Sequence, residues 1–237
     1  DKKVMIVYGG GSVIKHGILQ RVKGSLKNTL VFEFGGVEPN PHYETLMKAV
    51  EIVKAEKIDF LLAVGGGSVI DGTKFIAAAA LYENDPWEII TSYGSVVKQA
   101  LPFGCVLTLA ATGSEMNNTA VINRATTQDK LFFASPCVMP QFSVLEPEIT
   151  YTLPERQTAN GVVDAFVHIL EQYITYPVNA KVQDRLAEGL LNTLKEEGPT
   201  ALKNPQDYDA RANIMWAATM ALNGMLSAGV PTDWASH

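Results

Sequence analysis

The sequence predicts two parts of different architecture: an α/β domain, with a parallel sheet covered by helices on both faces, followed by an all-α domain. Three observations support this prediction. Short apolar segments rich in β-branched residues alternate with helical patterns in the first two-thirds of the chain. Two of these segments end in the same four residues, GGGS. After about Pro154, apolar residues recur at i, i+3 and i+4, and no strand candidate follows.

The predicted strands are four apolar segments that each run into a turn of glycines or other small residues. They are KVMIVY (3–8), LVFEF (30–34), FLLAVGGGS (60–68) and FGCVLTLAATGSE (103–115). Helical patterns lie between them, over roughly 13–27, 43–57 and 69–84. Continuous apolar strands that alternate with helices are typical of a parallel sheet buried on both faces.

The second part has the pattern of successive helices. The candidate helices lie within residues 154–175, 182–198 and 209–226. Pro154 fits the first turn of the first helix, and YPVN (176–179) and NPQD (204–207) fit the turns between helices. We therefore expect an α/β domain over 1–153 and a helical domain over 154–237.

The composition is that of an ordinary globular protein: 237 residues, 47% apolar and 19% charged. The formal net charge is 19 − 25 = −6, and no basic cluster exceeds two residues, which argues against nucleic acid or an anionic membrane as a partner. No apolar run approaches the roughly 20 residues of a membrane span. No signal peptide precedes the first strand, the first residue is not Met, and Cys105 and Cys137 lack CxxC spacing. We expect a cytoplasmic protein with reduced cysteines and a trimmed N-terminus.

The tetrad GGGS occurs after the first and the third predicted strand, at Gly9–Ser12 and Gly65–Ser68. A strand that runs through glycines into a helix exposes backbone N–H groups and a positive helix end, which together favour an anion. The alternative is a pair of tight turns without a ligand. Neither tetrad has the GxGxxG or the P-loop pattern, so the sequence indicates a phosphate or nucleotide binder of unspecified kind.

Two further polar groups follow predicted strands. The second tetrad continues as GGGSVIDGTK and places Asp71 and Lys74 on the first turns of a helix, where an aspartate already gains from the helix dipole. The stretch TLAATGSE offers the hydroxyls of Thr108, Thr112 and Ser114 around a glycine. For this stretch a helix N-cap is as good an explanation as a ligand.

The stretch NGVVDAFVHIL places Asp164 and His168 in an otherwise apolar segment. Burial of even a neutral polar group without a partner costs about 2–7 kcal/mol, so the pair needs an explanation. Residues i and i+4 of a helix share one face, from which a carboxylate and an imidazole can bind one divalent ion. The alternative is a structural hydrogen bond or ion pair. Of the other histidines, we expect His16 and His42 to be exposed, and sequence alone would not select the terminal His237.

At this point the motifs resemble those of a known family, the iron-dependent (group III) alcohol dehydrogenases. The motifs are GGGSVIDGTK, LTLAATGSE and NGVVDAFVH, in this order and at this spacing. The wider stretches YGGGSVIKHG, GGVEPNPHYETL, LPERQTANGVVDAFVHILEQY and ARANIMWAATMALNG are similar to the NADPH-dependent butanol dehydrogenase and aldehyde reductase branch. The resemblance covers essentially the whole chain. It implies a dinucleotide-binding α/β domain and a helical domain, with a metal ion in the cleft between them.

The resemblance also implies roles for individual residues. The pyrophosphate would bind Gly65, Gly66, Gly67 and Ser68. Asp71 would lie near the nicotinamide end as a catalytic residue, and the other coenzyme-facing residues would be Thr108, Thr112, Lys130 and Thr152. Asp164 and His168 match the first two metal ligands, with His168 also counted as catalytic, and His237 in VPTDWASH matches the third.

The chain departs from the family pattern in two places. Gly10 stands where NAD-preferring members often carry an aspartate for the adenosine ribose, so nothing there repels a 2′-phosphate, and Ser12 can hydrogen-bond it. We therefore expect a preference for NADP(H) over NAD(H). Family members also begin with an extra strand and continue well past residue 237, where a further histidine ligand normally follows. We therefore expect a fragment with an incomplete helical domain, and a homodimer at full length.

The implied activity is hydride transfer between NADP(H) and a primary alcohol or aldehyde, assisted by one divalent ion, Fe²⁺ or Zn²⁺. The alternatives are a glycerol-type polyol dehydrogenase, a lyase of the dehydroquinate synthase type and a metal-free nucleotide-binding fragment without activity. A lyase acting on a phosphorylated sugar acid should have an Arg/Lys cluster near its metal ligands, and residues 160–170 contain none.

Overall fold

The computed structural model describes residues 2–235, which divide into two compact units. Unit 1 contains the described residues up to Leu107, together with Asn118–Val144. Unit 2 contains Thr108–Asn117 and the described residues from Leu145 onward. The segment Thr108–Asn117 thus groups with the helical part, although the sequence placed it in the α/β part. Within the described residues, no helix has the length and apolar character needed to cross a bilayer.

Unit 1 alternates strands and helices before it ends in a hairpin and an edge strand. Its elements are β1 (Lys2–Tyr8), α1 (Ser12–Lys15), α2 (Ile18–Ser25), β2 (Thr29–Phe34), α3 (Tyr43–Glu56), β3 (Phe60–Gly65), α4 (Gly67–Ala79), α5 (Trp87–Thr91), β4 (Phe103–Leu107), β5 (Thr119–Arg124), β6 (Asp129–Ala134) and β7 (Phe142–Leu145). β5 and β6 form an antiparallel hairpin with Thr119 opposite Ala134.

The main sheet has the strand order β2-β1-β3-β4-β7, in which β1 to β4 are parallel. The chain moves from β1 to β2 in one direction and then returns past β1 to β3, so the order reverses at β1. Because parallel crossovers are right-handed, α1 and α2 lie on one face of the sheet and α3 and α4 on the other. α3 and α4 accordingly pack against each other. The predicted parallel sheet with flanking helices is confirmed.

Several predicted boundaries in unit 1 were wrong. The helix predicted over 13–27 is two helices, because Gly17 adopts a left-handed conformation with φ 71° between α1 and α2. The helix predicted over 69–84 begins earlier, at Gly67, and ends at Ala79. The segment 103–115 was predicted as a strand that runs into a small-residue turn, and the strand itself covers Phe103–Leu107. For the hairpin β5–β6 and for β7 the sequence analysis proposed no element.

Most of unit 2 is formed by the three long helices that were predicted: α6 (Glu155–Tyr173), α7 (Lys181–Lys203) and α8 (Tyr208–Ala221). Each of the three packs against the other two. Their shared core consists largely of small side chains, among them Ala165, Ala187, Ala217 and Ala218, with larger residues such as Ile169 and Leu194 between them. Small side chains allow the helices to approach closely, so the polar groups on their buried faces are held in place by near neighbours.

Candidate metal and coenzyme sites

The two GGGS tetrads follow neighbouring strands at the point where the strand order reverses. β1 and β3 pair in parallel with Tyr8 beside Val64, and each tetrad begins at the next residue. Open parallel sheets bind ligands at the carboxyl ends of their strands, in the crevice at such a reversal. The topology therefore places both tetrads where a ligand of this fold is expected.

The first tetrad is open to solvent. Gly10 and Ser12 are exposed, and a Cβ added at Gly10 would meet no atom within 4 Å. The turn after β2 lies next to it, because Gly36 N–H donates to Gly9 O over 3.1 Å. A ligand can thus reach Gly10 and Ser12, and a side chain could be added at Gly10 without steric conflict.

The second tetrad combines a packing role with an accessible helix start. A Cβ at Gly65 would overlap the side chain of Val69, so glycine is needed there for α4 to pack closely after β3. Gly66 is the N-cap of α4, with no side-chain cap. The first N–H groups of a helix have no intrahelical partner, so the start of α4 can accept an anion. Ser68 Oγ accepts a hydrogen bond from Asn40 N–H at 3.2 Å, which ties the tetrad to the loop after β2.

Asp71 and Lys74 on α4 both bind the strand β5. Asp71 Oδ2 accepts a hydrogen bond from Val121 N–H at 2.9 Å. The side chain of Lys74 is fully buried, and its Nζ donates to Thr119 O at 2.7 Å. The two charged groups therefore attach the hairpin to α4, which gives both residues a structural function. This structural function was not predicted because the strand β5 was not predicted.

Two further coenzyme candidates, Lys130 and Thr152, lie on the surface. Lys130 is exposed near the start of β6, opposite Asn123 of β5. Thr152 is exposed at the end of a 3-10 helix, Pro147–Thr152, in unit 2. The coenzyme contacts implied for these two residues stay predictions.

The threonine segment, Thr108–Asn117, is held within unit 2 by polar contacts with α8. Thr112 Oγ1 accepts from Ser114 N–H at 3.3 Å and closes the turn. Glu115 is buried, and its Oε1 accepts a hydrogen bond from the Thr219 hydroxyl at 2.6 Å. Asn117 Nδ2 donates to Leu222 O at 3.3 Å. These contacts fix the backbone that carries Thr108 and Thr112.

The acid–imidazole pair lies on one face of α6, as its spacing predicted. His168 is 5% exposed, whereas the side chain of Asp164 is 37% exposed. His168 Nδ1 and Asp164 Oδ2 are 4.0 Å apart, which is longer than a hydrogen bond. Two ligand atoms bound tetrahedrally to one ion at about 2.0–2.2 Å lie about 3.3–3.6 Å apart, so the pair has to close by about half an ångström to share a divalent ion.

Asp164 and His168 are candidate metal ligands that the structure describes. Within residues 2–235, no three His, Cys, Asp or Glu side chains form a group that could hold a metal ion. His237, the third ligand implied by the resemblance, lies outside the described residues. Asp164 and His168 therefore fit a metal ion as two of its ligands.

After the turn at Gly229, the chain packs against α6 again. Thr175 Oγ1 donates to Pro231 O at 2.9 Å, and Asp233 N–H donates to Glu171 O at 3.1 Å. The ring of Trp234 lies edge-on to the His168 imidazole, with centroids 6.4 Å apart. Residues 231–235 are thereby held against the turn of α6 that contains His168.

The remaining histidines and cysteines occupy ordinary positions. His16 is exposed, as expected, whereas His42 is half-buried because it precedes α3 and bridges to Asn123. Cys105 is buried and Cys137 is partly buried, and neither forms a disulfide bond within the described residues.

One polar residue beside His168, Gln172, was not among the predicted site residues. Gln172 is 5% exposed, and its Nε2 donates to His168 O and to Ala221 O, both at 2.7 Å. The available signal was its spacing, since Asp164, His168 and Gln172 follow each other at intervals of four residues.

Glycine-ended strands at a reversal of strand order suit a dinucleotide coenzyme, and a helix that carries an aspartate and a histidine one turn apart suits a metal ion. Together they indicate the class of enzymes that use both. Comparison with known families makes this class specific. Residues 1–147 match the family described as iron-containing alcohol dehydrogenase, and residues 158–237 match the C-terminal domain of the Fe-containing alcohol dehydrogenase family. The chain belongs to the iron-containing alcohol dehydrogenase family.

Individual relatives agree with this assignment. The chain is 65% identical over 239 residues to the NADPH-dependent aldehyde reductase YqhD of Escherichia coli K12, covering 100% of this chain and 62% of that protein. It is 48% identical over 237 residues to NADH-dependent butanol dehydrogenase B of Clostridium acetobutylicum, covering 99% of this chain and 60% of that protein. The chain thus spans about three-fifths of the length of these relatives.

Solved structures show the same fold. The crystal structure of Escherichia coli K-12 YqhD superimposes with a TM-score of 0.98 at 64% identity, covering 100% of this chain and 61% of that chain. NADH-dependent butanol dehydrogenase A of Thermotoga maritima gives a TM-score of 0.94 at 41% identity, covering 100% and 60%.

Proposed function

We propose that the protein containing this chain is a metal-assisted oxidoreductase that transfers a hydride between NADP(H) and a primary alcohol or aldehyde. The observation that carries the proposal is the Asp164–His168 pair, 4.0 Å apart on one face of α6, in a chain of this family. The names of its relatives support the substrate class, since one is an aldehyde reductase and another a butanol dehydrogenase.

Asp164 and His168 would hold the metal, with His237 as a third ligand. His237 is supported by the position of Trp234, three residues earlier in the sequence and in contact with the His168 ring. His and Asp ligands suit both Fe²⁺ and Zn²⁺. When bound, the metal supplies Lewis-acid polarisation of the substrate oxygen, and the coenzyme supplies or accepts the hydride.

The residues of this chain would bind the metal ion and the coenzyme and orient them. The Asp164 carboxylate offsets the charge of the ion, and burial of His168 keeps bulk water from its ring and limits its motion. The backbone N–H groups around Gly66, Gly67 and Ser68 would hold the pyrophosphate at the start of α4. Thr108, Thr112, Lys130 and Thr152 would complete the coenzyme contacts, and Asp71 would act near the nicotinamide.

A preference for NADP(H) follows from the first tetrad. Gly10 contributes no carboxylate, and the open space around it and the exposed Ser12 leave room for a 2′-phosphate. The relatives differ here, because YqhD is named as NADPH-dependent and the butanol dehydrogenases as NADH-dependent. The preference therefore has to be measured for this protein.

We also propose that the complete protein is a cytoplasmic homodimer whose partners are small molecules. The net charge of −6 disfavours nucleic acid and anionic membranes. β2 is at one edge of the sheet, where a second copy can extend it, and Leu30 on this strand is half-exposed.

The test is oxidation of NADPH by the full-length protein across a panel of aldehydes, before and after chelation and after addition of Fe²⁺ or Zn²⁺. We expect turnover that chelation abolishes and metal restores, with NADPH preferred over NADH. Coenzyme binding without turnover and without metal would instead identify a nucleotide-binding module. Glycerol oxidation faster than aldehyde reduction would identify a polyol dehydrogenase.

A further inference from the structure

Gln172 continues the polar stripe that Asp164 and His168 begin on α6. The three residues are four positions apart, so they lie one above another on the same face of the helix. Gln172 is 5% exposed, as is His168. Its carboxamide therefore lies inside unit 2, directly beyond the turn that carries the imidazole.

Both N–H groups of the Gln172 carboxamide have a hydrogen-bond acceptor. Nε2 donates to His168 O at 2.7 Å, in the preceding turn of α6, and to Ala221 O at 2.7 Å, at the last residue of α8. The last four carbonyl groups of a helix lack an intrahelical partner, so Gln172 supplies one that α8 needs. The same amide thereby joins the backbone of His168 to the end of a second helix.

Packing of α6 against α8 does not itself require a carboxamide. The surrounding core consists largely of apolar side chains, which include Ala165, Ile169, Ala217 and Ala218. Small, smooth side chains of this kind allow close approach but restrict rotation of a helix about its axis only weakly. A second hydrogen bond between the two helices, from Arg211 Nη1 to Thr158 Oγ1 at 2.8 Å, lies near the start of α6, far from the turn of His168. The hydrogen bond from Gln172 Nε2 to Ala221 O crosses between the two helices one turn from His168. It therefore restricts the local rotation of α6, which sets the direction in which the His168 ring points.

We propose that Gln172 is a positioning residue for His168. It connects the turn of α6 that contains His168 to the end of α8, and so orients the imidazole towards the metal. The inference rests on the proposed function, because it needs an ion at Asp164 and His168. Gln172 itself contributes no ligand. A metal ligand displaced by a fraction of an ångström binds less well, and loss of a supporting partner typically weakens metal affinity about 10–100-fold.

The test is titration of the metal-free, full-length protein with Co²⁺, whose visible absorption band reports coordination geometry. In Gln172→Met the side chain keeps its length but loses both donors. We expect about 10-fold weaker Co²⁺ binding and a changed absorption band, at a temperature where the variant is fully folded by circular dichroism.

Asn117→Leu is the matched control, because Asn117 Nδ2 donates to Leu222 O, the carbonyl after Ala221, and to Gly113 O in the threonine segment. We expect it to keep the wild-type Co²⁺ affinity and absorption band. If both variants lose affinity alike, the effect is general loosening of α8 and the inference is overturned. The inference is also overturned if Gln172→Met binds Co²⁺ with the same affinity as the wild-type protein.

A folding defect in Gln172→Met does not block the test. Gln172→Asn retains the carboxamide but is one methylene too short to span both carbonyl groups, so it should also bind Co²⁺ more weakly than the control. Binding equal to the control refutes the inference. Absence of Co²⁺ binding by the wild-type protein would refute the proposed metal site instead, so the two failures are distinguishable.

Discussion

Gly161 of α6 faces the carbonyl oxygen of Ala110 so closely that a Cβ added at Gly161 would overlap that oxygen. This contact joins the helix of the acid–imidazole pair directly to the threonine segment, Thr108–Asn117. Gly161 is three residues before Asp164 in the sequence. Both candidate elements of unit 2 therefore depend on a position where only a hydrogen atom fits.

Gly161→Ala should destabilise the protein because the added methyl group forces the threonine segment away from α6. Overpacking of this kind costs about 1–3 kcal/mol in the free energy of unfolding. Gly189→Ala on α7 is the control, since a Cβ there meets no atom within 4 Å. Alanine in an unobstructed helix interior should stabilise by about 0.4–1 kcal/mol. Urea unfolding of both variants gives the comparison, and a shift of the same sign in both would contradict it.

Thr219→Val should destabilise unit 2 because it removes the hydroxyl that donates a hydrogen bond to Glu115. A hydrogen bond to a charged group contributes about 1.5–3 kcal/mol, and the loss leaves a buried carboxylate oxygen with one donor fewer. Thr193→Val provides the control, because Thr193 makes the same hydrogen bond to a carbonyl one turn earlier but contacts no carboxylate through it. Thermal unfolding should show a clear decrease for Thr219→Val alone. Equal decreases would show that the backbone hydrogen bond, rather than Glu115, accounts for the effect.

Features within single strands and helices could mostly be predicted from the sequence. The glycines after β1 and β3 could be located because a strand that ends in glycines is a local pattern, and the face shared by Asp164 and His168 follows from helical spacing alone. The break at Gly17 was missed because apolar spacing continues across it. The residues of α1 and α2 match one helix, and only the backbone conformation of the glycine separates them.

The long-range contacts could not be predicted. Asp71 and Lys74 are explained by β5, which lies some 50 positions further along the chain and has no strong pattern of its own. Glu115 is explained by Thr219, 104 positions away. Gln172 has a spacing signal, but its second acceptor, Ala221, is known only once α8 is placed. Each missed function depends on a partner that only the tertiary structure brings close.

Gly10→Asp should shift coenzyme preference from NADPH towards NADH. A carboxylate about 4 Å from a phosphate charge costs about 1 kcal/mol in water and about 4 kcal/mol near a protein surface, so NADPH binding should weaken at least fivefold. The open space around Gly10 makes the change sterically tolerable. Gly24→Asp adds the same charge at another open position in unit 1 and should leave the preference unchanged. Fluorescence titration with both coenzymes measures the ratio, and tighter NADH than NADPH binding by the wild-type protein would contradict the argument.

Asp164→Asn should remove the metal while the fold stays intact. Asparagine keeps the size of the side chain but removes the negative charge that offsets the ion, and the position is only partly buried, so the helix tolerates it. Because even an outer-shell partner contributes about 10–100-fold to metal affinity, loss of a direct ligand should cost at least about 100-fold. Glu155→Gln, an exposed carboxylate in the first turn of the same helix, controls for loss of one charge. Elemental analysis after dialysis should find one ion per chain in the wild-type protein and in Glu155→Gln, and almost none in Asp164→Asn. Metal retained by Asp164→Asn would place the ion elsewhere, and the account of the acid–imidazole pair would have to be abandoned.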